Sequence, residues 1–479
     1  MISPKEEFKK RAMLVGNKNY LQLFNYFVKL LRKTRLPYLK HNGFFISSLQ
    51  IIMLKTLSKW QKYLHQIKKD ISRTTPEKEK NILEQKLLIY TEWIRIFQTI
   101  ADGIAWRNLK FNRPLIRLFS ENKSPGFINE DYINIFQKYL SRMSGFVIIN
   151  DLTRCLRISD LTQILPNNKV FLYEIKKSGS VLKDIGYVLK EMKKHKRFFS
   201  NQERKQWVAQ SAIIGKKIEV PIYQNGRIKE ELRAEIIYLD FPIQTHFSTI
   251  KKLIKKADNN GYALAELEPG YFIEISAYDE ITKRMNSGQY IQYKKAQFEQ
   301  NAPEWYKNKK NKIITLSNYD SFLQEGGHYP RNFLPYSVLP FSIKDCVRLM
   351  MGCLYLRIYF NLDIFERKIK EAGWVVKKEE KDSIFFKKQR ELYKKEYQEK
   401  GSIYKYKVDE SLYHLSRNNE NGTYETSILT TQILIMLTSM YKTDFLVDEI
   451  NYLYSEARKI KPERRTITIN YLGEQKTLV

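Results

Sequence analysis

The residues from 158 to 178 decide the fold of this chain. They read Ile158-Ser159-Asp160-Leu161-Thr162-Gln163-Ile164-Leu165, then Pro166-Asn167-Asn168-Lys169-Val170, then Phe171-Leu172-Tyr173-Glu174-Ile175-Lys176-Lys177-Ser178. Two short apolar runs flank a turn signal, which predicts two strands that fold back on each other. Because residues two apart on a strand share a face, Glu174 and Lys176 point the same way. A short turn centred on Asn167 places Asp160 opposite Glu174 or within one position.

The patterns on either side of this hairpin predict a mixed α/β fold. Apolar residues recur at helical spacing from 19 to 99, and further helices are predicted over 130–143, 181–212 and 249–257. Strands are predicted over 146–149, 156–165, 170–175, 218–223, 232–240, 262–267 and 271–275, and Asn225-Gly226 is a hairpin signal. We therefore expect a basic helical N-terminal domain (1–93), an α/β core (94–280) and a mostly helical C-terminal domain (281–479).

The charge predicts a polyanionic partner. Lysine and arginine total 83 against 52 acidic residues, a net charge of +31 over 479 residues. No Asp or Glu occurs between Phe8 and Lys69. Biased codon usage is the alternative explanation, but AT-rich coding sequences usually supply plenty of glutamate, and solvated helix faces normally mix charges of both signs.

Several classes of protein are not indicated by the sequence. The cysteines Cys155, Cys346 and Cys353 have no zinc-site or disulfide pattern, and no phosphate-loop motif occurs. The charged N-terminus resembles no signal peptide, and the longest uncharged apolar stretch, 426–441, is shorter than the ~20 residues of a membrane span. We expect a cytoplasmic protein without a membrane partner.

The hairpin carries residues suited to phosphodiester hydrolysis. Paired carboxylates such as Asp160 and Glu174 bind hard Mg²⁺ (or Mn²⁺) ions, which stabilise charge on the attacking and leaving oxygens. A lysine beside them, here Lys176, orients or helps to deprotonate the attacking water. The alternative is that Asp160 caps a turn while Glu174 and Lys176 form an ordinary exposed pair.

Asp160, followed after a turn by Glu174-Ile175-Lys176, resembles the PD-(D/E)xK nuclease superfamily. The resemblance covers about a third of the chain and implies a restriction-endonuclease-like α/β core flanked by helical N- and C-terminal regions. It implies that Asp160 and Glu174 are metal ligands and that Lys176 is catalytic. A further ligand from the preceding helix is Asp102 or Glu92, with Asp102 ranked first. Ser159 stands where many members have proline.

Cations flank this motif and predict contacts with a phosphate backbone. They are Arg154, Arg157, Lys193, Lys194, Lys196 and Arg197, with Lys33 and Arg35 in the N-terminal domain. Glu266, Glu268 and Glu274 form a second acidic group, which we interpret as solvent-facing alternation on strands.

The predicted function is Mg²⁺-dependent hydrolysis of DNA, by analogy in anti-phage defence or a mobile element, with a partner protein or a second copy left open. The alternatives are a non-catalytic nucleic-acid-binding scaffold and an RNase with the same site.

Overall fold

The computed structural model describes the chain over residues 17–35, 43–74, 76–109, 130–140, 143, 145–156, 159–165, 170–175, 182–184, 217–224, 227–239, 243–284, 286–308, 311–318, 334–378, 411–419, 422–457 and 467–472. For part of these residues, Glu174 among them, only the backbone is described.

The helices of the described residues follow in chain order. They are α1 (Asn17–Thr34), α2 (Gly43–Arg73), α3 (Glu77–Asn108), α4 (Glu130–Leu140), α5 (Phe247–Asn260), α6 (Tyr278–Arg284), α7 (Ser287–Asn301), α8 (Glu304–Lys307), α9 (Ile343–Met350), α10 (Leu362–Glu371), α11 (Thr430–Thr438) and α12 (Thr443–Ala457). Short 3-10 turns cover Asn150–Leu152 and Tyr336–Val338. Within these ranges, no helix combines the length and apolarity of a membrane span.

The strands of the described residues form four small sheets. They are β1 (Phe146–Ile149), β2 (Leu161–Ile164), β3 (Val170–Ile175), β4 (Leu182–Asp184), β5 (Lys217–Gln224), β6 (Arg227–Leu239), β7 (Tyr262–Glu268), β8 (Tyr271–Ala277), β9 (Ile313–Ser317), β10 (Leu354–Asn361), β11 (Val375–Lys378), β12 (Ser411–Asn419), β13 (Gly422–Leu429) and β14 (Ile467–Leu472). The sheet orders are β1-β2-β3-β4, β14-β6-β5, β7-β8-β10-β9 and β11-β12-β13. The fold is therefore mixed α/β, as the sequence predicts.

The chain divides into two compact units. Unit 1 comprises Met1–Pro242, Pro330–Met351 and Ile460–Val479, and unit 2 comprises Ile243–Tyr329 and Gly352–Lys459. The boundaries predicted from the sequence differ from this division, because residue 93 lies inside α3 and residue 280 lies inside α6. Contacts between segments that are distant in the sequence determine which unit a residue belongs to. Local sequence patterns carry no information about these contacts.

Unit 1 contains the predicted N-terminal helices. Apolar residues at three- and four-residue spacing give α1, α2 and α3 faces that pack together. The ring of Trp60 lies 6.2 Å from Phe27 and 5.4 Å from Phe97, centroid to centroid. The side chain of Gln50 on α2 bonds the outer edge of β1, donating to the carbonyl of Val147 (2.7 Å) and accepting from the amide of Ile149 (2.8 Å). The side-chain amide of Gln50 thus satisfies backbone groups of an edge strand that could otherwise pair with a further strand.

The predicted strand pair and the later hairpin both form, with two corrections. Strands β1 and β3 match the predicted bounds, and β5 pairs with β6 around Asn225-Gly226. However, β4 lies where the helix 181–212 was predicted to begin, and residues 185–216 lie outside the described part. The predicted strand 232–240 corresponds to the second part of β6, which pairs with β5 and β14 in a sheet separate from β1-β2-β3-β4.

Unit 2 is built on the antiparallel sheet β7-β8-β10-β9. Helix α7 packs on one face through Tyr293 and Phe298, which contact a buried cluster of Tyr262, Leu264, Phe272 and Tyr359. The region predicted to be a mostly helical C-terminal domain contains strands as well as helices, because β9 to β14 lie within it. Strand β10 is buried along almost its whole length, so its nearly continuous apolar run does not distinguish strand from helix.

Of the three glutamates that were expected to face solvent, Glu274 is buried and Glu268 is largely buried, whereas Glu266 is exposed. Glu274 is 0% exposed, forms an ion pair with Lys294 of α7, and accepts a hydrogen bond from the hydroxyl of Tyr359 (2.8 Å). Glu266 accepts from the indole of Trp305 (2.6 Å). The prediction of solvent-facing alternation is therefore wrong for Glu268 and Glu274, and it is confirmed for Glu266.

Glu268 joins several elements of unit 2. Its carboxylate lies 3.0 Å from His246 Nε2, accepts from the amide of Thr443 (2.8 Å) and lies 3.3 Å from the ammonium of Lys368. Burial alone would raise the pKa of Glu268, but hydrogen bonds from His246 and Thr443 and the charge of Lys368 lower it to about 2. The ionised carboxylate is therefore preferred in the folded state.

This lowered pKa predicts how stability depends on pH. A carboxyl group with a folded pKa below its unfolded value of about 4.3 stabilises the protein above that value, and the contribution is lost as pH falls toward about 2. We expect Glu268→Gln to lower the free energy of unfolding by about 2 kcal/mol at pH 7. The difference should shrink below about pH 4. Urea titrations from neutral to acid pH measure it; a difference independent of pH would contradict the assignment.

Candidate active site

Asp160 and Glu174 lie at neighbouring backbone positions. The register of β2 and β3 pairs Leu161 with Tyr173, and the amide of Asp160 donates to the carbonyl of Tyr173 (3.0 Å). Glu174 follows Tyr173 on β3, where it pairs with Lys183 of β4. The backbone thus has the arrangement that the sequence predicts at this end of the sheet. The side chain of Glu174 and all of Lys176 lie outside the described residues.

A buried asparagine holds Asp160 at the start of β2. Asn150 follows β1, and its amide donates to the carbonyl of Asp160 (2.9 Å). Its side-chain amide donates to the carbonyl (2.9 Å) and hydroxyl (2.8 Å) of Ser159, and its side-chain oxygen accepts from Thr162 (2.9 Å). Because buried amide groups need such partners, Asn150 fixes the chain on both sides of Asp160.

Two carboxylates converge on one tyrosine. Tyr132 on α4 donates its hydroxyl proton to Asp160 Oδ1 (3.0 Å), and the carboxyl group of Asp151 also interacts with this hydroxyl. Burial, followed by the charges of Asp151 and Asp160, raises the pKa of Tyr132. The hydroxyl therefore stays protonated at neutral pH and orients the carboxylate of Asp160.

Asp102 has a structural task. It is 6% exposed, and its Oδ1 accepts hydrogen bonds from the backbone amides of Arg154 (2.6 Å) and Cys155 (3.0 Å). Burial raises the pKa of Asp102, against the lowering effect of Arg154. Asp102 thus closes the turn that leads from Asn150 toward Asp160, a task that differs from the metal-ligand role implied by the resemblance. Glu92, the other candidate, is buried on α3 beside Trp93 and lines a small pocket with Tyr20 and Met351.

The predicted cations fall into three groups. Arg35 is a correction: its guanidinium donates to the carbonyls of Ser337 (2.9 Å), Leu339 (2.8 Å) and Phe341 (2.9 Å) instead of facing solvent. Arg154 is half-buried near Asp102, and Lys33 is exposed. The remaining ones lie outside the described residues: Arg157, Lys193, Lys194, Lys196 and Arg197.

Asp151 and Asp160 supply the hard oxygen donors that Mg²⁺ prefers. Among the side chains that the structure describes, no group of three or more His, Cys, Asp or Glu residues is placed to hold a metal ion. A complete set here requires the carboxylate of Glu174, whose backbone the register places beside Asp160.

The comparisons identify no relative. No protein-family model matches the chain, and no curated protein or solved structure was found to be similar to it. The interpretation of this site therefore rests on its own residues.

The sequence analysis missed three residues of the site. Asn150 and Asp151 directly follow the apolar run of β1, and polar residues at a strand end are a signal that could have found them. Tyr132 lies on α4, in a separate segment of the chain, and nothing local distinguishes it from a core tyrosine.

Proposed function

We propose that this chain is a metal-dependent nuclease that hydrolyses phosphodiester bonds of DNA. Asp160, Glu174 and Lys176 form its site, and Asp151 takes the place first given to Asp102 as the further carboxylate. The observation that supports the proposal is the β2–β3 register, which brings Asp160 beside Glu174. The strong positive charge of the chain agrees with a polyanionic substrate.

The residues of the chain would divide the work as follows. A bound Mg²⁺ or Mn²⁺ supplies charge stabilisation at the attacking and leaving oxygens. Asp151, Asp160 and Glu174 would hold the ion, while Asn150 and Tyr132 keep Asp160 in one orientation. Lys176 would orient the attacking water and stabilise developing negative charge.

A non-catalytic nucleic-acid-binding protein is the second candidate. The structural tasks of Asp102 and Arg35 favour it to a limited degree, because they show that acidic and basic side chains of unit 1 also serve the fold. Metal-dependent cleavage separates the two functions.

We expect the purified chain to cut plasmid DNA only when Mg²⁺ or Mn²⁺ is present. EDTA should abolish cutting, and Glu174→Ala and Lys176→Ala should each lower the rate by at least about 100-fold while DNA binding is retained. Gel assays with plasmid, single-stranded DNA and RNA measure the rates and also decide between a DNase and an RNase.

Lys177→Ala is the matched control, because it removes the same charge one residue away. Its rate should stay within about twofold of the wild type, because Lys177 lies outside the Glu174-Ile175-Lys176 motif. Cutting that persists in EDTA would contradict the proposed chemistry. Binding without any cutting would favour the non-catalytic protein.

A further inference from the structure

One exposed face of α2 carries a line of cations, which we call the α2 ridge. Its members follow one another at helical spacing and each is exposed: Lys55, Lys59, Lys62, Lys69 and Arg73. Residues at three- and four-residue spacing lie on one side of a helix, so these side chains form a single row. At 1.5 Å per residue, the row extends over about 27 Å.

Few opposite charges offset the ridge. Within the described ranges, only Lys62 of these five forms an ion pair with a carboxylate, that of Glu130 at 3.7 Å. Both side chains of this pair are more than half exposed, so the pair contributes little. The carboxylate of Asp70 accepts a hydrogen bond from the uncharged side-chain amide of Gln66 on the same face (2.7 Å). The row of cationic groups is therefore exposed to an anionic ligand.

An exposed aromatic ring borders the ridge. Tyr63 is 48% exposed and follows Lys62 directly. Its ring stacks on Tyr90 of α3, with centroids 5.9 Å apart and planes at 20°, and Tyr90 in turn packs edge-on against Trp93. These contacts hold the ring of Tyr63 in a fixed orientation beside the cations, which suits it to stack with an unpaired base.

We propose that the α2 ridge binds a single-stranded polynucleotide, with the lysines on its phosphates and Tyr63 against a base. Each strand of a duplex winds once around the duplex axis in about 34 Å. It would therefore contact a straight row of about 27 Å over only part of the row. An extended single strand follows the whole row and exposes its bases. The apolar side of α2 is buried in the core, which disfavours insertion into a lipid surface.

This inference deepens the proposed function by assigning a surface that would hold one unpaired strand of the nucleic acid. It rests on the proposed function only for the biological purpose of that binding. Binding is measured in EDTA, where no metal-dependent cleavage occurs. Failure of binding and failure of catalysis are therefore separate results.

The test compares two triple variants of the full chain. Lys55→Gln/Lys59→Gln/Lys62→Gln removes charge from the ridge, and Lys251→Gln/Lys252→Gln/Lys255→Gln removes the same charge from exposed positions on α5. Fluorescence anisotropy with an oligothymidine of about 16 nucleotides, the matching oligouridine and a duplex gives the affinities. The α5 variant should bind within about twofold of the wild type.

The ridge variant should bind the single strand at least about tenfold more weakly, and its slope of log affinity against log salt should be smaller by about 2. Tyr63→Ala should weaken binding about tenfold, and Tyr63→Trp should retain it. Oligothymidine and oligouridine separate DNA from RNA as the source of the strand. Equal losses in both triple variants, tighter binding of the duplex, or equal competition by anionic phospholipid vesicles would each overturn the inference.

Discussion

Asp160→Asn is expected to reduce metal-dependent cleavage by about a thousandfold or more, because a lost metal ligand removes several kcal/mol of transition-state stabilisation. The substitution keeps the shape of the side chain and an oxygen that accepts from Tyr132. It also removes one of two carboxylates around that tyrosine. The free energy of unfolding should therefore change by less than about 1 kcal/mol.

Asp131→Asn is the matched control for this substitution. Asp131 is exposed on α4 beside Tyr132, so the variant makes the same chemical change outside the site. Rates of plasmid nicking and urea unfolding curves of both variants give the comparison. Wild-type cleavage by Asp160→Asn would exclude Asp160 as a metal ligand, and equal losses in both variants would show a nonspecific effect of charge.

Arg35→Ala is expected to lower the free energy of unfolding by about 4 kcal/mol. Its guanidinium satisfies three backbone carbonyls in residues 337–341 and also donates to the thiol of Cys346 (3.0 Å). Arg107 still donates to the carbonyl of Ser337 (3.0 Å) when Arg35 is removed. The carbonyls of Leu339 and Phe341 keep only the weak thiol donor of Cys346 (3.6 and 4.0 Å), and a buried carbonyl that loses its main partner costs about 1 to 3 kcal/mol. Arg35→Lys should recover only part of this loss, because an ammonium cannot reproduce the planar fork of donors.

Lys33→Ala is the control for this substitution, because Lys33 lies near the same end of α1 but is not the residue that makes these hydrogen bonds. Lys33 is exposed two residues earlier on α1, so its replacement should change the unfolding free energy by less than about 0.5 kcal/mol. Chemical denaturation of the three variants measures the differences. If Arg35→Ala unfolds like Lys33→Ala, the guanidinium is not part of the fold and its predicted role on nucleic acid is restored.

Local patterns predicted the backbone of the candidate site well. Strand alternation and a short turn are properties of neighbouring residues, so the spacing from Asp160 to Glu174 was enough to predict their adjacency. The same patterns predicted α1 to α3 and the β5–β6 hairpin. They did not predict β10, because a strand that is buried on both faces lacks the alternation that identifies strands.

The sequence by itself determined the helices of the N-terminal region, the hairpin that carries Asp160 and Glu174, and the excess of positive charge, since each follows from residues close together in the chain. Only the tertiary structure decided which charged side chains serve the fold. Arg35 meets carbonyls some 300 positions away, and Glu274 meets a lysine from another helix. The convergence of Asp151 and Asp160 on Tyr132 likewise depends on packing. Burial and pairing arise from contacts between distant segments, and a local pattern contains no information about which segments will meet.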